Sequence, residues 1–387
     1  MVKDSETIAR DADERFMRRA IELAERGWGQ VAPNPLVGAV VVSDSGVVGE
    51  GFHARHGDEH AEVAALRAAG PRAAGSTLYV NLEPCAHEGK TPPCDRIIRE
   101  AGVREVIVAC RDPNREASGG LARLEASGVA VRLGMAAEAA RRLNAPFFWR
   151  VTQELPYVAL KLAMSLDGRI AAGAGVRSAV TGESAWREVH RLRAGFDAVL
   201  IGRGTAVVDD PMLTARGAPA PRVPPVRVVL DSELRLSTSS RLVRSVDEAP
   251  VWVVSADGAD PGRRARLEDA GVNVLEVRAA DSAPERAESG RRIDLPSALR
   301  ALNGAGVGTI LVEGGARVAS ALLREDLVQR LYLLVAPSFL GDGGVPAFAG
   351  VPPSEEGAWE VSDRHGLGRD TLIVLENRAA LARLAEG

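Results

Sequence analysis

Short runs of aliphatic residues, separated by helix-forming stretches, recur along the chain and then begin afresh after residue 156. Val37–Val42, Leu78–Val80, Val106–Ala109 and Val129–Leu133 form a first set. Tyr157–Lys161, Ala198–Ile201, Val226–Leu230, Val251–Val254, Val272–Val277 and Thr309–Val312 form a second. Runs this short and this continuously apolar suit buried strands, and their alternation with helices restricts the chain to α/β layers. Between the two sets, Met135–Arg150 reads as a basic amphipathic helix ending in Pro146-Phe147-Phe148-Trp149. That places a domain joint near residues 145 to 156, with domains over 10–150 and 155–380. A length of 387 residues agrees with this division. Exposed loops of the second half are expected within Ala215–Pro225 and within the charged, Ala-rich stretch Ala259–Arg292.

The first domain also carries a compact set of metal-type ligands: His60-Ala61-Glu62, then Pro84-Cys85, then Pro92-Pro93-Cys94. One imidazole and two thiolates make a borderline-soft set suited to Zn²⁺, and three protein ligands leave a tetrahedral position open. An open position implies catalysis, with Glu62 as the candidate proton carrier. His60 starts a helical run closed by Gly70-Pro71. Residues two apart on a helix diverge, so His60 and Glu62 share a site only at its first turn. Pro84 suits the first position of a helix, which would set Cys85 beside a positive helix end. Cys94 opens a run that Gly102 closes. Cys110 ends an apolar run and reads as packing. His87 is a competing ligand, and its participation would make the site closed and structural.

Composition narrows the classes of function. A net charge of −4 gives no general footprint for nucleic acid, and 4% aromatic residues offer few stacking platforms. No stretch approaches the roughly 20 apolar residues of a membrane span, and Met1–Arg15 lacks a signal-peptide core. The expectation is a cytoplasmic protein binding neither nucleic acid nor membrane. Its 3 cysteines build no disulfide framework, and thiols kept reduced suit a metal.

A second constellation lies in the other half. Thr309-Ile310-Leu311-Val312 runs into Glu313-Gly314-Gly315 and a helical stretch, an order that can cradle phosphate or be plain connection geometry. Lys161, Ser165, Asp167 and Gly168 follow one strand, Gly202-Arg203-Gly204-Thr205 another, and Asp209-Asp210-Pro211 with Leu213-Thr214-Ala215-Arg216 come shortly after. Each can be turn chemistry. Their recurrence at strand ends points to a cleft for a phosphate-bearing ligand.

With these motifs in hand, the chain resembles the bifunctional riboflavin-biosynthesis family, a pyrimidine deaminase fused to a pyrimidine reductase. The matching residues are Ala32-Pro33-Asn34-Pro35, His60-Ala61-Glu62, Pro84-Cys85, Gly89-Lys90-Thr91-Pro92-Pro93-Cys94 and Asp112-Pro113-Asn114. In the second half they are Ser165-Leu166-Asp167-Gly168, Leu192-Arg193, Leu213-Thr214-Ala215-Arg216 and Val312-Glu313-Gly314-Gly315. The resemblance runs from about residue 12 to about 377, and the wide spacing of the two cysteines is specific to this family, most zinc nucleobase deaminases having a tighter one.

The resemblance implies a cytidine-deaminase-like three-layer domain followed by a dihydrofolate-reductase-like doubly wound domain. It implies one Zn²⁺ on His60, Cys85 and Cys94, Glu62 as catalytic proton carrier, and a phosphoribosyl pyrimidine held by Asn34, His53, Lys90 and Asn114. In the second domain it implies NADPH on Ala163, Ala179, Thr205, Asp209, Ser232 and the segment Gly315, Ala316, Arg317, Val318, Ala319, Ser320 and Ala321. Substrate there would meet Arg177, Arg193, Leu213, Arg216 and Glu313, and a homo-oligomer, dimer or tetramer, is expected.

The sequence departs from the family pattern at three places. Ala179 stands where a Trp is common, with Trp186 as a possible replacement; Arg177 stands where a small hydroxyl residue is common; Arg115 replaces a proline. These departures define the main alternative, a zinc deaminase with an inactive or redirected second domain. A nucleoside or nucleic-acid-base deaminase and a non-catalytic nucleotide-binding module are the further alternatives.

Overall fold

The structure is a computed structural model that describes residues 5–88, 92–217, 219–280 and 291–385. The chain divides into two compact units, with the break between Thr152 and Gln153.

The first unit is built on a five-stranded sheet of β1 (Gly38–Ser43), β2 (Gly46–Phe52), β3 (Thr77–Leu82), β4 (Glu105–Cys110) and β5 (Ala130–Leu133), in the order β2-β1-β3-β4-β5. β1 is antiparallel to β2 and β3; β3, β4 and β5 are parallel. Successive side chains on each strand go to opposite faces. Val41, Leu78, Val80, Val106 and Val108 meet helices Ala61–Ala69, Cys94–Glu100 and Gly120–Ala126 on one face. Helices Ser5–Glu25 and Ala137–Leu143 contact the sheet from β1, β3 and β4. The result is three layers, as expected.

β2 was not legible as a strand, because three of its seven residues are glycine. The structure gives two of them a purpose. A Cβ at Gly51 would lie 2.4 Å from the amide nitrogen of Ala65, and one at Gly49 would lie 2.2 Å from the Ala65 carbonyl oxygen. Helix Ala61–Ala69 therefore rests directly on the backbone of β2, which sets the depth of its first turn.

The second unit has a nine-stranded sheet. Its strands are β6 (Tyr157–Ser165), β8 (Ala198–Gly202), β9 (Val226–Leu230), β10 (Val251–Ala256), β11 (Asn273–Val277), β12 (Thr309–Val312), β13 (Arg330–Ala336), β15 (Trp359–Leu367) and β16 (Asp370–Asn377). A separate pair joins β7 (Arg169–Ala171) to β14 (Val345–Pro346). The order is β11-β10-β9-β8-β12-β6-β13-β16-β15. β11 through β13 are parallel; β16 and β15 close one edge antiparallel. Alternate residues feed cores on the two faces: Leu200, Val228 and Ile310 on one, Val199, Ile201 and Val229 on the other. From β6 the chain skips a slot to β8 and moves outward to β11; β12 then returns to fill the slot. Open α/β sheets hold ligands at the carboxyl ends of strands beside such a reversal.

Candidate functional site

His60, Cys85 and Cys94 come together in the first unit, their ligand atoms all within 4.8 Å of one another. His60 is the N-cap of helix Ala61–Ala69, with extended backbone, and Glu62 lies in the first turn. Cys85 follows β3, and Cys94 is the first residue of helix Cys94–Glu100. His60 Nδ1 lies 3.2 Å from Cys94 Sγ and 3.5 Å from Cys85 Sγ.

No helix begins at Pro84, contrary to expectation. The positive end that Cys85 meets belongs instead to the helix that Cys94 opens, whose first amide donates to Cys85 Sγ at 3.4 Å. Contact with Cys94, opposed by burial and aided by His60 and that amide, draws the Cys85 thiol down to about 4. His60 is raised to about 9, chiefly by its contact with Cys85. His87 is exposed and outside the cluster. Three ligands thus converge, and they fit the open-position arrangement of a catalytic zinc.

Glu62 supplies the clearest test of that fit. It is 3% exposed, and its Oε2 has no hydrogen-bond partner. Burial raises its pKa, with the attraction of His60 opposing. A buried carboxyl oxygen left without a partner is costly unless something in the working site pairs with it.

Around this cluster, His53 is 3% exposed, and its ring meets that of His60 edge-on at 5.6 Å. Its Nδ1 lies 3.0 Å from the Glu59 carbonyl, which can only accept, so Nδ1 carries the proton and Nε2 accepts from Asn34 Nδ2 at 3.1 Å. Burial, the largest influence on His53, keeps the ring neutral. The Asn34 amide is thereby oriented with its oxygen free of His53. Asn114 sits on a loop bound by Asp112 Oδ1, which accepts its backbone amide at 2.8 Å. Lys90 lies outside the described residues.

Sequence reasoning missed Glu83, which is 4% exposed at the end of β3. Its carboxylate accepts from the amides of Asp112, Gly119 and Leu121, so it ties down the loop carrying Asn114. Its place immediately before Pro84-Cys85 was the available signal.

The second unit holds a cleft of about 240 Å³ at the carboxyl ends of β6, β8 and β12. Ala163, Ala179, Thr205, Asp209 and Gly315 line it, as do Arg177, Arg193, Leu213 and Glu313. Arg216 and Ser232 are not among its lining residues. Arg216 is exposed beside the cleft, and Ser232 follows β9 on the outward side. Of Gly315–Ala321, Ala319 and Ser320 are buried, and Ala319 belongs to the apolar core. Of this segment only Gly315, the N-cap of helix Ala316–Arg324, lines the cleft, at the helix end whose amides have no intrahelical acceptor. Gly315 donates to Thr205 Oγ1 at 3.0 Å, and a Cβ on Gly314 would lie 2.9 Å from Val318 Cβ. This close glycine turn fits a dinucleotide's phosphates.

At the base of the cleft, Glu313 takes a two-pronged ion pair from Arg193, Nε to Oε1 at 2.5 Å and Nη2 to Oε2 at 2.9 Å. Lys161 Nζ adds a contact at 3.2 Å. Burial alone would raise the pKa of Glu313, but Arg193 and Lys161 outweigh it and hold the group at about 2. Arg193 also donates to the Thr214 carbonyl, so its fork is engaged by the protein. Burial raises Asp209, opposed by Arg177 and Lys161. Ser165 and Asp167 do not line the cleft. Asp167 accepts from Ser165 Oγ and from the amides of Leu340 and Gly341, tying two loops together. Trp186 lines the same cleft as Ala179 and is 47% exposed.

Comparison with known proteins follows the same division. Residues 10–110 match the cytidine and deoxycytidylate deaminase zinc-binding region, and residues 156–371 match the RibD C-terminal domain. The riboflavin biosynthesis protein RibD of Aquifex aeolicus is 38% identical over 337 residues, covering 87% of this chain and 90% of that protein. That of Escherichia coli is 38% identical over 341 residues, covering 85% and 89%. The solved structure of Acinetobacter baumannii RibD is 35% identical and superposes with a TM-score of 0.77, covering 95% of this chain and 99% of that one. A diaminohydroxyphosphoribosylaminopyrimidine deaminase/5-amino-6-(5-phosphoribosylamino)uracil reductase from Thermotoga maritima gives 33%, 0.77, 95% and 99%.

Proposed function

This chain belongs to the RibD family of riboflavin biosynthesis proteins, and from that premise we propose how its own residues divide the two reactions. The first unit deaminates a diaminopyrimidinone ribosyl phosphate; the second reduces the ribosyl group of the product to ribityl. The observation that carries the reading is the buried, unpartnered Glu62 oxygen beside a three-ligand cluster.

His60, Cys85 and Cys94 hold Zn²⁺, which when bound supplies the Lewis acidity that makes water nucleophilic near neutral pH. Glu62 takes the proton that water gives up on attacking the amino-bearing carbon, and passes it on so that the amine leaves as ammonia. Asn34 holds the pyrimidine, positioned by neutral His53. Asn114 and Lys90 take the phosphoribosyl part.

Ala163, Thr205, Asp209, Ser232 and the Gly315–Ala321 turn and helix would hold NADPH, which when bound would supply hydride for C1′. Opening of the C1′–O4′ bond leaves the ring oxygen in need of a proton, and Lys161, which lines the cleft, gives it. Glu313 stays ionised and fixes Lys161 and Arg193. Arg177 and Arg216 face the phosphate, and Leu213 packs on the substrate. Trp186 serves as the stacking surface that Ala179 lacks. Among the described residues no helix is long and apolar enough to cross a membrane. Reduced thiols in the cluster suit a cytoplasmic enzyme, and we take it to be a homo-oligomer.

The test is a coupled assay on zinc-loaded protein that follows ammonia release and NADPH oxidation separately. Both signals, with oxidation dependent on deamination, are expected. Ammonia without oxidation would leave a deaminase with a redirected second unit, and silence in both would overturn the reading.

A further inference from the structure

An arginine in the middle of a buried strand needs an explanation. Arg227 lies on β9 between two parallel neighbours, is 0% exposed, and is the largest of the fully buried side chains. Among the described residues no carboxylate forms an ion pair with it. Its guanidinium donates instead to Ser245 Oγ at 2.6 Å, to the Ser245 carbonyl at 2.6 Å, to the Ala249 carbonyl and to the Met212 carbonyl at 3.1 Å. Its Nε has no hydrogen-bond partner, and a buried charge met by neutral acceptors is unfavourable relative to an apolar side chain of the same size. Three of the four contacts close the segment 241–249 upon itself; the fourth reaches the loop that enters the reductase cleft.

That loop is conformationally stressed. Asp210 has φ +39 and Leu213 φ +53, a region that side chains other than glycine seldom occupy unless their surroundings hold them there. Leu213 is 3% exposed and lines the cleft. The loop has a second tie, to the segment that Arg227 also holds: Asp210 Oδ1 accepts the backbone amide of Arg241 at 2.8 Å. On its far side the Thr214 carbonyl is held by Arg193. Before Leu213 the loop is thus gripped at Met212 by Arg227 of β9 and at Asp210 by segment 241–249, and the ion-paired Arg193 grips it just after.

We propose that Arg227 is a positioning residue for the reduction, holding Met212 so that Leu213 keeps its left-handed backbone and presents the substrate-binding edge of the cleft. Asp210 is the second mooring. The inference rests on the reductase reading above. It assigns to the loop 210–216 the selection of the deaminated substrate, and to Arg227 no contact with substrate or cofactor.

The experiment compares the full-length, zinc-loaded protein with Arg227→Met, Arg227→Lys and Asp210→Gly. Met keeps the volume and removes the donors, and glycine adopts the backbone at 210 without strain. Arg227→Met should raise KM for the deaminated phosphoribosyl pyrimidine about tenfold, with kcat, the NADPH dissociation constant and ammonia release each within about twofold of the parent. Arg227→Lys should recover part of the KM, and Asp210→Gly, which does not disturb the core, should show the same KM-selective loss. Amide hydrogen exchange at residues 212–216, which needs no turnover, should accelerate about tenfold or more in Arg227→Met and Asp210→Gly. Unchanged KM and exchange in a folded variant would overturn the proposal, as would a parallel rise in KM and NADPH dissociation constant. Should the parent protein release ammonia without oxidising NADPH, the reductase reading fails by itself, and the exchange measurement still decides the mooring.

Discussion

Each unit buries a glutamate at the heart of its site, and the two are treated in opposite ways. Glu62 has an oxygen with no partner and a pKa raised by burial. Glu313 has both oxygens claimed by Arg193 and Lys161 and is held at about 2 despite burial. The residue type is the same, and so is the near-complete removal from water. The difference is whether cationic side chains are ion-paired to the carboxylate oxygens. A carboxyl with no such pair can take and release a proton; a carboxylate clamped by two cationic side chains cannot, and becomes a fixed negative post on which other side chains are set.

The comparison can be broken most severely at the metal. Chelating zinc should abolish ammonia release while NADPH oxidation with pre-deaminated substrate persists; equal loss of both would show that the two glutamates do not serve separate sites. Glu62→Gln should lower deamination on the order of 10²–10⁴-fold with zinc content unchanged by elemental analysis, because only the proton carrier is lost. Glu313→Ala should eliminate NADPH oxidation, spare ammonia release, and destabilise the second unit by about 3–5 kcal/mol in denaturant melts, because Arg193 and Lys161 are left buried without their partner.

Acid sharpens the contrast further. Glu313 titrates near 2 in the fold against an ordinary 4.5. Its folded pKa is depressed, so its contribution is complete above pH 4.5 and disappears as pH falls towards 2. The gap corresponds to about 3 kcal/mol. Glu313→Gln should flatten the acid limb of the stability curve for the second unit. The smallest effect concerns Trp186→Ala, which should weaken NADPH binding about fivefold by calorimetry through loss of a stacking face.

What could be read in advance divides along the same line. Most of the parallel strands were legible as short aliphatic runs, but β13, parallel to β6, was passed over although Leu331–Val335 is an unbroken apolar run. β2 was not legible, since Gly49 and Gly51 remove the apolar signal for the sake of a helix packed above them. β15, at the antiparallel edge, has many exposed positions, so its pattern is diluted. The zinc ligands were legible because they lie on two helix starts and one strand end close in sequence. The Glu313 clamp was not, because Arg193 is 120 residues away and only the sheet order joins them. Cys85 was correctly singled out, but its helix partner was misplaced: proline before it suggested a helix start, while the chain continues as loop and the amide comes from Cys94.

The bare backbone of β2 under helix Ala61–Ala69 has a consequence for how such an enzyme can change. With no side chains between strand and helix at Gly49 and Gly51, there is nothing to trim or enlarge, and any replacement pushes His60 and Glu62 outward together. The depth of the chemical centre is therefore held constant across sequence drift. New specificity has to be written in the loops around it, such as the one that Glu83 anchors, where a changed residue can alter what enters without moving the metal.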